Sequence, residues 1–329
     1  MISKLNVGIL GATEVAKRVI INPSKLMDTF FVYGVASKDF DRAKKFSADF
    51  GIPNIYKTYD ELILDSNIDI VYIPLATCLH SEWIINCLKK GKNVLVEKPL
   101  CLNSLEANNI KKTLEQSKGS LFEGCMVQHH PWTLAVLDLI KRKEFGKLLS
   151  IETEFAYPFP DYYINSYINK GGGVFIHDAV YWLQFVQKCI GLNPNNINAY
   201  SKFDGPGGIE LSLDARMDYS NGLFSTFSCS WKKPFKAKHS LKFENAEVII
   251  PNFLKPSFGI SKFKIEIKDL KSNSEFIEFI PQDYYVNQLN YIYNSIINKE
   301  NSRGLFELSV ERIVIMEKLY KKAKENASI

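Results

Sequence analysis

Val94-Leu95-Val96-Glu97-Lys98-Pro99 decides the architecture of this chain. The apolar run reads as a buried strand, and the proline ends it, so Lys98 emerges at the strand's carboxyl end. In open parallel sheets that is the end where ligands bind. Upstream, Val7-Gly8-Ile9-Leu10-Gly11-Ala12-Thr13-Glu14-Val15-Ala16 passes from strand to helix through a glycine turn. Downstream, Gly171-Gly172-Gly173 opens a second helix of interest.

Around these landmarks the chain divides in two. Residues 1–122 alternate short β-rich runs with helical spacing, the mark of a parallel sheet with crossover helices. Strands are expected at 5–10, 32–37, 70–74 and 94–97, with helices at 14–21, 40–50, 59–64 and 81–90. Asn103-Ser104-Leu105-Glu106 reads as the capped start of a helix running to Ser117. A fifth strand over 121–127 is expected to leave the sheet and lead through Pro131 to a helix over 133–143.

Residues 123–329 change character. Strands are expected at 151–155, 197–203, 209–217, 223–231, 240–243, 247–250, 265–270 and 275–280, with few long helices between them. That pattern implies a large, mostly antiparallel open sheet in an α/β domain. Two closing helices are expected at 284–298 and 306–326, the last of them free to pack back on the first domain.

Composition narrows the class. The chain has 329 residues, 46% of them hydrophobic, enough for a full core. The net charge of +5 is spread along the chain, unlike the clustered footprint of a nucleic-acid binder. No apolar run approaches the ~18 residues a membrane span needs. Residues 5–10 are too short and wrongly flanked for a signal peptide. Six scattered cysteines without CxxC spacing read as reduced thiols of a cytoplasmic enzyme, with no metal site.

The first strand–turn–helix suits a dinucleotide. Gly11 permits the tight turn, Ala16 lets the helix approach the sheet, and the helix-start amides face a pyrophosphate. Thr13 stands where the usual second glycine belongs; its side chain narrows the approach, and its hydroxyl offers a hydrogen bond. At the tip of the second strand NAD sites usually carry a carboxylate. Here Ser37 and Lys38 stand instead, which favours the extra phosphate of NADP over NAD, while Asp39 reads as a helix cap.

Six segments carry a resemblance: GILGATEVAKR at 8–18, VASKDFDRAKKF at 35–46, YIPLATCLHSEW at 72–83, GKNVLVEKPL at 91–100, EGCMVQHHP at 123–131 and GGGVFIHDAVYWL at 171–183. Over nearly its whole length the chain resembles the Gfo/Idh/MocA oxidoreductases. Its wording is most similar to the branch holding NADP-dependent xylose dehydrogenase, dihydrodiol dehydrogenase and deoxysugar ketoreductases. The resemblance implies an N-terminal Rossmann domain and a homodimer or homotetramer built on the C-terminal sheet. It also implies cofactor contacts from Gly11, Ala12, Thr13, Glu14, Val15, Leu75, His80, Glu97 and Lys98. The Lys98–Pro99 peptide is often cis in such proteins, and His80 is expected near the nicotinamide.

The resemblance places an acid–base pair on the triple-glycine helix. The family keeps an Asp four residues after the last glycine and a His or Tyr four residues later; here these are His177 and Tyr181, on one helical face. His177 departs from the pattern, because Asp178 follows one place later, about 100° around the helix. A histidine there removes a negative charge from beside Lys98, which suits an anionic or sugar-nucleotide substrate. Gln128, where many relatives carry Arg, joins His129, Tyr163 and Asp178 as substrate contacts. The aromatic stretch 155–163 is expected to roof the pocket.

The implied activity is hydride transfer between NADP and a secondary alcohol or ketone on a sugar or sugar-like ring, nucleotide-linked sugars included. Tyr181 is the proton donor and Lys98 the stabiliser of the alkoxide. Two alternatives stand beside it: reduction of an imine in a biosynthetic pathway, and a non-catalytic NADP-binding regulator.

Overall fold

A computed structural model describes residues 4–162, 164, 171–255, 262–300 and 303–327. The chain forms two compact units, one of Met1–Met126 with Tyr285–Ile313 and the other of Val127–Tyr284 with Val314–Ile329.

The first unit is built on a six-stranded sheet in the order β3-β2-β1-β4-β5-β6. Its strands are β1 Leu5–Leu10, β2 Phe30–Ala36, β3 Asn54–Tyr56, β4 Ile70–Ile73, β5 Asn93–Glu97 and β6 Leu121–Gly124. Every pairing is parallel. This is the doubly wound order, whose direction reverses between β1 and β4 and leaves a ligand crevice at their carboxyl ends. Val94, Leu95 and Val96 are fully buried, as a central strand covered on both faces requires. Two expectations are corrected. Strand β3 is an unforeseen edge strand of three residues, too short to show a periodicity. Strand β6 stays in the sheet, pairing with β5 through Gly124, so the chain leaves after that residue and not along a strand to 127.

Caps fix the crossover helices. Asp39 accepts the Arg42 amide at 3.0 Å, Thr58 the Glu61 amide at 3.1 Å and Asn103 the Glu106 amide at 2.9 Å. Each such cap is worth about 1 kcal/mol. The helix after β1 is irregular: Glu14–Ala16 is α-helical, and Lys17–Ile21 widens to a π-helix. Tyr285–Ile313 supplies the last contacts of this unit, including Tyr293 edge-on to Phe30 at 6.0 Å.

The second unit is built on an eight-stranded sheet in the order β14-β13-β12-β11-β7-β10-β9-β8. These are β7 Leu148–Ala156, β8 Asn196–Tyr200, β9 Ser212–Asp218, β10 Phe224–Ser230, β11 Lys236–Phe243, β12 Ala246–Ile250, β13 Phe263–Asp269 and β14 Ser274–Phe279. Only the β7–β10 pairing among them is parallel. Alternation sorts the two faces: Ile151, Thr153 and Phe155 are buried on β7, whereas Glu152 and Glu154 point the other way to Lys242 at 2.8 Å and Lys236 at 2.6 Å. The Val174–Ile190 helix packs on the apolar face, with Trp182 stacked on Phe227 at 5.2 Å and its indole N–H donated to Ser225 at 2.8 Å. Among the described residues, no helix is long and apolar enough to cross a membrane.

Candidate active site

In the first unit the residues expected to hold a dinucleotide gather at the carboxyl ends of β1, β2, β4 and β5. Gly11 has φ +107, and a Cβ there would stand 3.0 Å from Leu75 Cδ2, so both backbone and space demand glycine. Ala12 and Ala16 are buried, while Glu14 and Val15 are exposed at the helix start. Thr13 caps that helix, its oxygen accepting the Ala16 amide at 3.4 Å, which leaves its hydrogen to donate outward.

The tip of β2 holds no carboxylate for a ribose. Ser37 is buried and accepts the Asp39 amide at 3.3 Å, and Asp39 is spent on its cap. Lys38 is exposed, and Arg42 lies one helical turn further on. An NADP-type dinucleotide therefore fits this end: a glycine turn with open amides at the pyrophosphate, and two cations where the ribose phosphate belongs. Arg42 was not named in the sequence reading, although the helix expected over 40–50 sets it one turn from Lys38.

The Lys98–Pro99 bond is cis. Around it lies a set of buried polar contacts. Glu97 accepts the Tyr72 hydroxyl at 2.7 Å; desolvation pushes its carboxyl up, opposed by Tyr72, Lys98 and Arg18. His80 is buried, with Nδ1 2.9 Å from the Pro99 carbonyl and Nε2 3.0 Å from the Leu75 carbonyl. Burial pushes its imidazole below the usual range, and the two carbonyls act in the opposite sense. The ring lies between the Leu75 and Pro99 carbonyls, and its single N–H in the neutral form donates to one of them.

Glu123 completes the support. One carboxylate oxygen accepts the Leu100 amide at 2.9 Å; the other accepts the Ser309 hydroxyl at 2.7 Å and Arg312 at 2.5 Å. Both charged side chains are about 95% buried, with 5% and 4% exposure.

The second unit contributes the triple-glycine helix. Gly171 and Gly172 take φ +128 and +99. At Gly173 a Cβ would come within 2.1 Å of the Glu210 carbonyl oxygen, so only glycine lets β9's approach segment close on the helix start. Glu210 is fully buried; it accepts the Phe175 amide at 3.0 Å and the Tyr320 hydroxyl at 2.9 Å. Burial pushes its carboxyl up, and these donors oppose the shift. A carboxylate at a helix N-terminus is favourably placed in the helix field.

From that fixed start, His177 and Tyr181 fall on one face. The His177 side chain is 29% exposed, and Tyr181 is 7% exposed, edge-on to Phe155 at 5.5 Å. Asp178 is buried, and its Oδ1 lies 4.0 Å from His177 Nε2. Tyr157, just beyond β7, donates to Asp178 and accepts the Trp231 indole N–H at 3.0 Å. Burial, then Asp178, push the Tyr157 phenol well above the usual range, so it keeps the proton it gives to Asp178. A carboxylate thus stands next to the imidazole despite the turn of the helix, and Asp178 is buried against Tyr157.

Gln128 and His129 share a half-buried 3-10 turn, Met126–His129, and burial with the Lys188 charge pushes His129 down to about 4. His130 caps the Pro131–Arg142 helix, accepting the Trp132 amide at 3.2 Å. Tyr163 lies outside the described residues. Of the aromatics expected to roof the pocket, Phe159 lies against Trp231 with centroids 4.8 Å apart and planes tilted by 31°, and Tyr162 is exposed. Among the described residues, no cluster of three His, Cys, Asp or Glu could hold a metal, and all six cysteines are free thiols. Glu210, Glu123 and Arg312 were not anticipated; each is a charged residue whose role only long-range pairing makes specific.

Comparison with known proteins agrees with this geometry. Residues 5–125 match the family described as oxidoreductases with an NAD-binding Rossmann fold, and residues 133–248 match the GFO/IDH/MocA C-terminal domain. An uncharacterised oxidoreductase of Rhizobium meliloti is 30% identical over 226 residues, covering 68% of this chain and 67% of the relative. An NADP-dependent D-xylose 1-dehydrogenase of Haloferax volcanii is 23% identical over 98% of both chains. The crystal structure of a 3-ketoreductase from Actinomadura kijaniata, solved with NADP and TDP-benzene, shares the fold at TM-score 0.90 and 21% identity, over 97% of this chain and 98% of that one. By sequence and by fold, the chain belongs to the GFO/IDH/MocA family of oxidoreductases with an NAD-binding Rossmann fold.

Proposed function

We propose that this oxidoreductase uses NADP to interconvert a secondary alcohol and a ketone on a sugar or sugar-like ring. The observation that carries the reading is the shared helical face of His177 and Tyr181, held by Glu210, in a chain whose Lys98 ends β5 at the ligand end of its sheet. A relative named as a D-xylose 1-dehydrogenase, and a structural neighbour holding NADP and TDP-benzene, support the substrate class. The nicotinamide, when bound, supplies or accepts the hydride.

This chain's residues do the rest. In reduction Tyr181 gives its hydroxyl proton to the carbonyl oxygen, and in oxidation it takes it back. A phenol is a weak acid at its ordinary pKa of ~10, and a neighbouring ammonium eases the transfer. Lys98 supplies that charge and stabilises the developing alkoxide. His177 holds a neighbouring ring hydroxyl, with Asp178 and Tyr157 behind it. A homodimer or homotetramer seated on the open, charge-paired face of the eight-stranded sheet, in the cytoplasm, belongs to the same reading.

Nicotinamide absorbance tests it, followed against neutral sugars, sugar nucleotides, cyclitols and cyclic imines with both cofactors. Turnover of a sugar substrate with NADP(H), and slower turnover with NAD(H), is expected. Turnover of imines alone would replace the substrate class. No turnover, with NADP altering the binding of a partner, would make the chain a regulator.

A further inference from the structure

Tyr59 is a group that neither the proposed mechanism nor the family match uses. It opens the Tyr59–Leu64 helix beside its Thr58 cap and is 8% exposed. Trp83 holds the ring edge-on, with centroids 4.9 Å apart and planes at 85°. The phenolic oxygen therefore has a fixed position, 4.0 Å from the point where a Cβ on Gly11 would stand. The backbone N–H of Lys38 faces it, and it lies in the field of Arg42. Burial pushes the phenol above its usual range, opposed by those two neighbours. The hydroxyl hydrogen finds no acceptor among the described residues. Tyr59 thus meets the glycine turn, the β2 tip and the helix bearing Arg42 at one point.

We propose that Tyr59 completes the site for the 2′-phosphate of NADP, donating its hydroxyl hydrogen to a phosphate oxygen while its own oxygen faces the Lys38 amide. The inference rests on the NADP reading above. A phosphate monoester dianion presents only acceptors, so it is matched by the ammonium of Lys38, the guanidinium of Arg42 and one neutral O–H donor. The free ribose hydroxyl of NAD is itself a donor and gains little from a third donor beside two cations.

Fluorescence titration of the full chain with NADPH and NADH, in wild type and in Tyr59→Phe, tests this, with thermal melting of each unliganded protein to check folding. A hydrogen bond to a charged group predicts about a tenfold rise in the NADPH Kd. The NADH Kd should change less than about twofold, and competition by 2′-AMP should weaken while that by 5′-AMP does not. Equal losses for both cofactors would reduce Tyr59 to a packing role and overturn the proposal; so would an unchanged NADPH Kd. A wild type that binds NADH more tightly than NADPH would sink the NADP reading and this site with it. NADPH preference with an indifferent Tyr59→Phe would sink this site alone. Should Tyr59→Phe melt early, Tyr59→Leu provides the second test, because it keeps an apolar side chain facing Trp83 and has no hydrogen-bond donor: the same selective loss of NADPH supports the proposal, and an equal loss overturns it.

Discussion

Lys98→Met and Tyr181→Phe are each expected to lower turnover by roughly 10²–10⁴-fold, the usual range for general acid–base groups. Both substitutions keep the size and most of the packing of the original side chain. Tyr181 lies among Phe155 and Phe253, contacts that the phenylalanine preserves. Lys98 follows Glu97, which keeps its bond to the Tyr72 hydroxyl at 2.7 Å and the opposing charge of Arg18 when the ammonium is removed. NADPH binding, measured by fluorescence, should therefore survive in both variants while the chemical step fails. Wild-type turnover in both would remove the assigned roles. Loss of cofactor binding in Tyr181→Phe would point to a folding defect.

Arg312→Met is expected to destabilise the protein by about 3–5 kcal/mol, the cost of stranding one member of a buried ion pair. Glu123 would then keep the Leu100 amide and the Ser309 hydroxyl but lose its counter-charge in a site where it is 4% exposed. Urea unfolding followed by far-UV circular dichroism measures the loss. The conservative Arg312→Lys should recover part of it. Because the Leu100 amide is two residues from Lys98, any folded variant should also turn over more slowly. A loss below about 1 kcal/mol, the range of exposed pairs, would contradict the burial on which this expectation stands.

Much of the fold was legible in the sequence because short-range physics wrote it there. Asp39, Thr58 and Asn103 announce helix starts through their own side chains, and the apolar run at Val94–Val96 declares a strand buried on both faces. The three-residue edge strand β3 carries no such pattern, and the sixth strand's place depends on pairing with β5, which no local signal states. The site divides in the same way. Gly11, Lys98, His177 and Tyr181 stand in motifs with fixed spacing. Glu123 and Arg312, 189 positions apart, and Glu210 and Tyr320, 110 apart, acquire meaning only once the chain has folded. The two carbonyls beside the His80 ring, and the Asp178 carboxylate 4.0 Å from His177, are likewise visible only in the folded chain.

Lys98, on the first unit, and Tyr181, on the second, are the two groups the proposed chemistry requires. A crystal structure with NADP and a bound sugar analogue tests their partnership most directly. The expected result is Lys98 Nζ and Tyr181 Oη both within hydrogen-bond reach, about 2.6–3.2 Å, of one substrate oxygen whose carbon faces the nicotinamide. Finding the ammonium and the phenol in separate cavities would contradict the proposed chemistry.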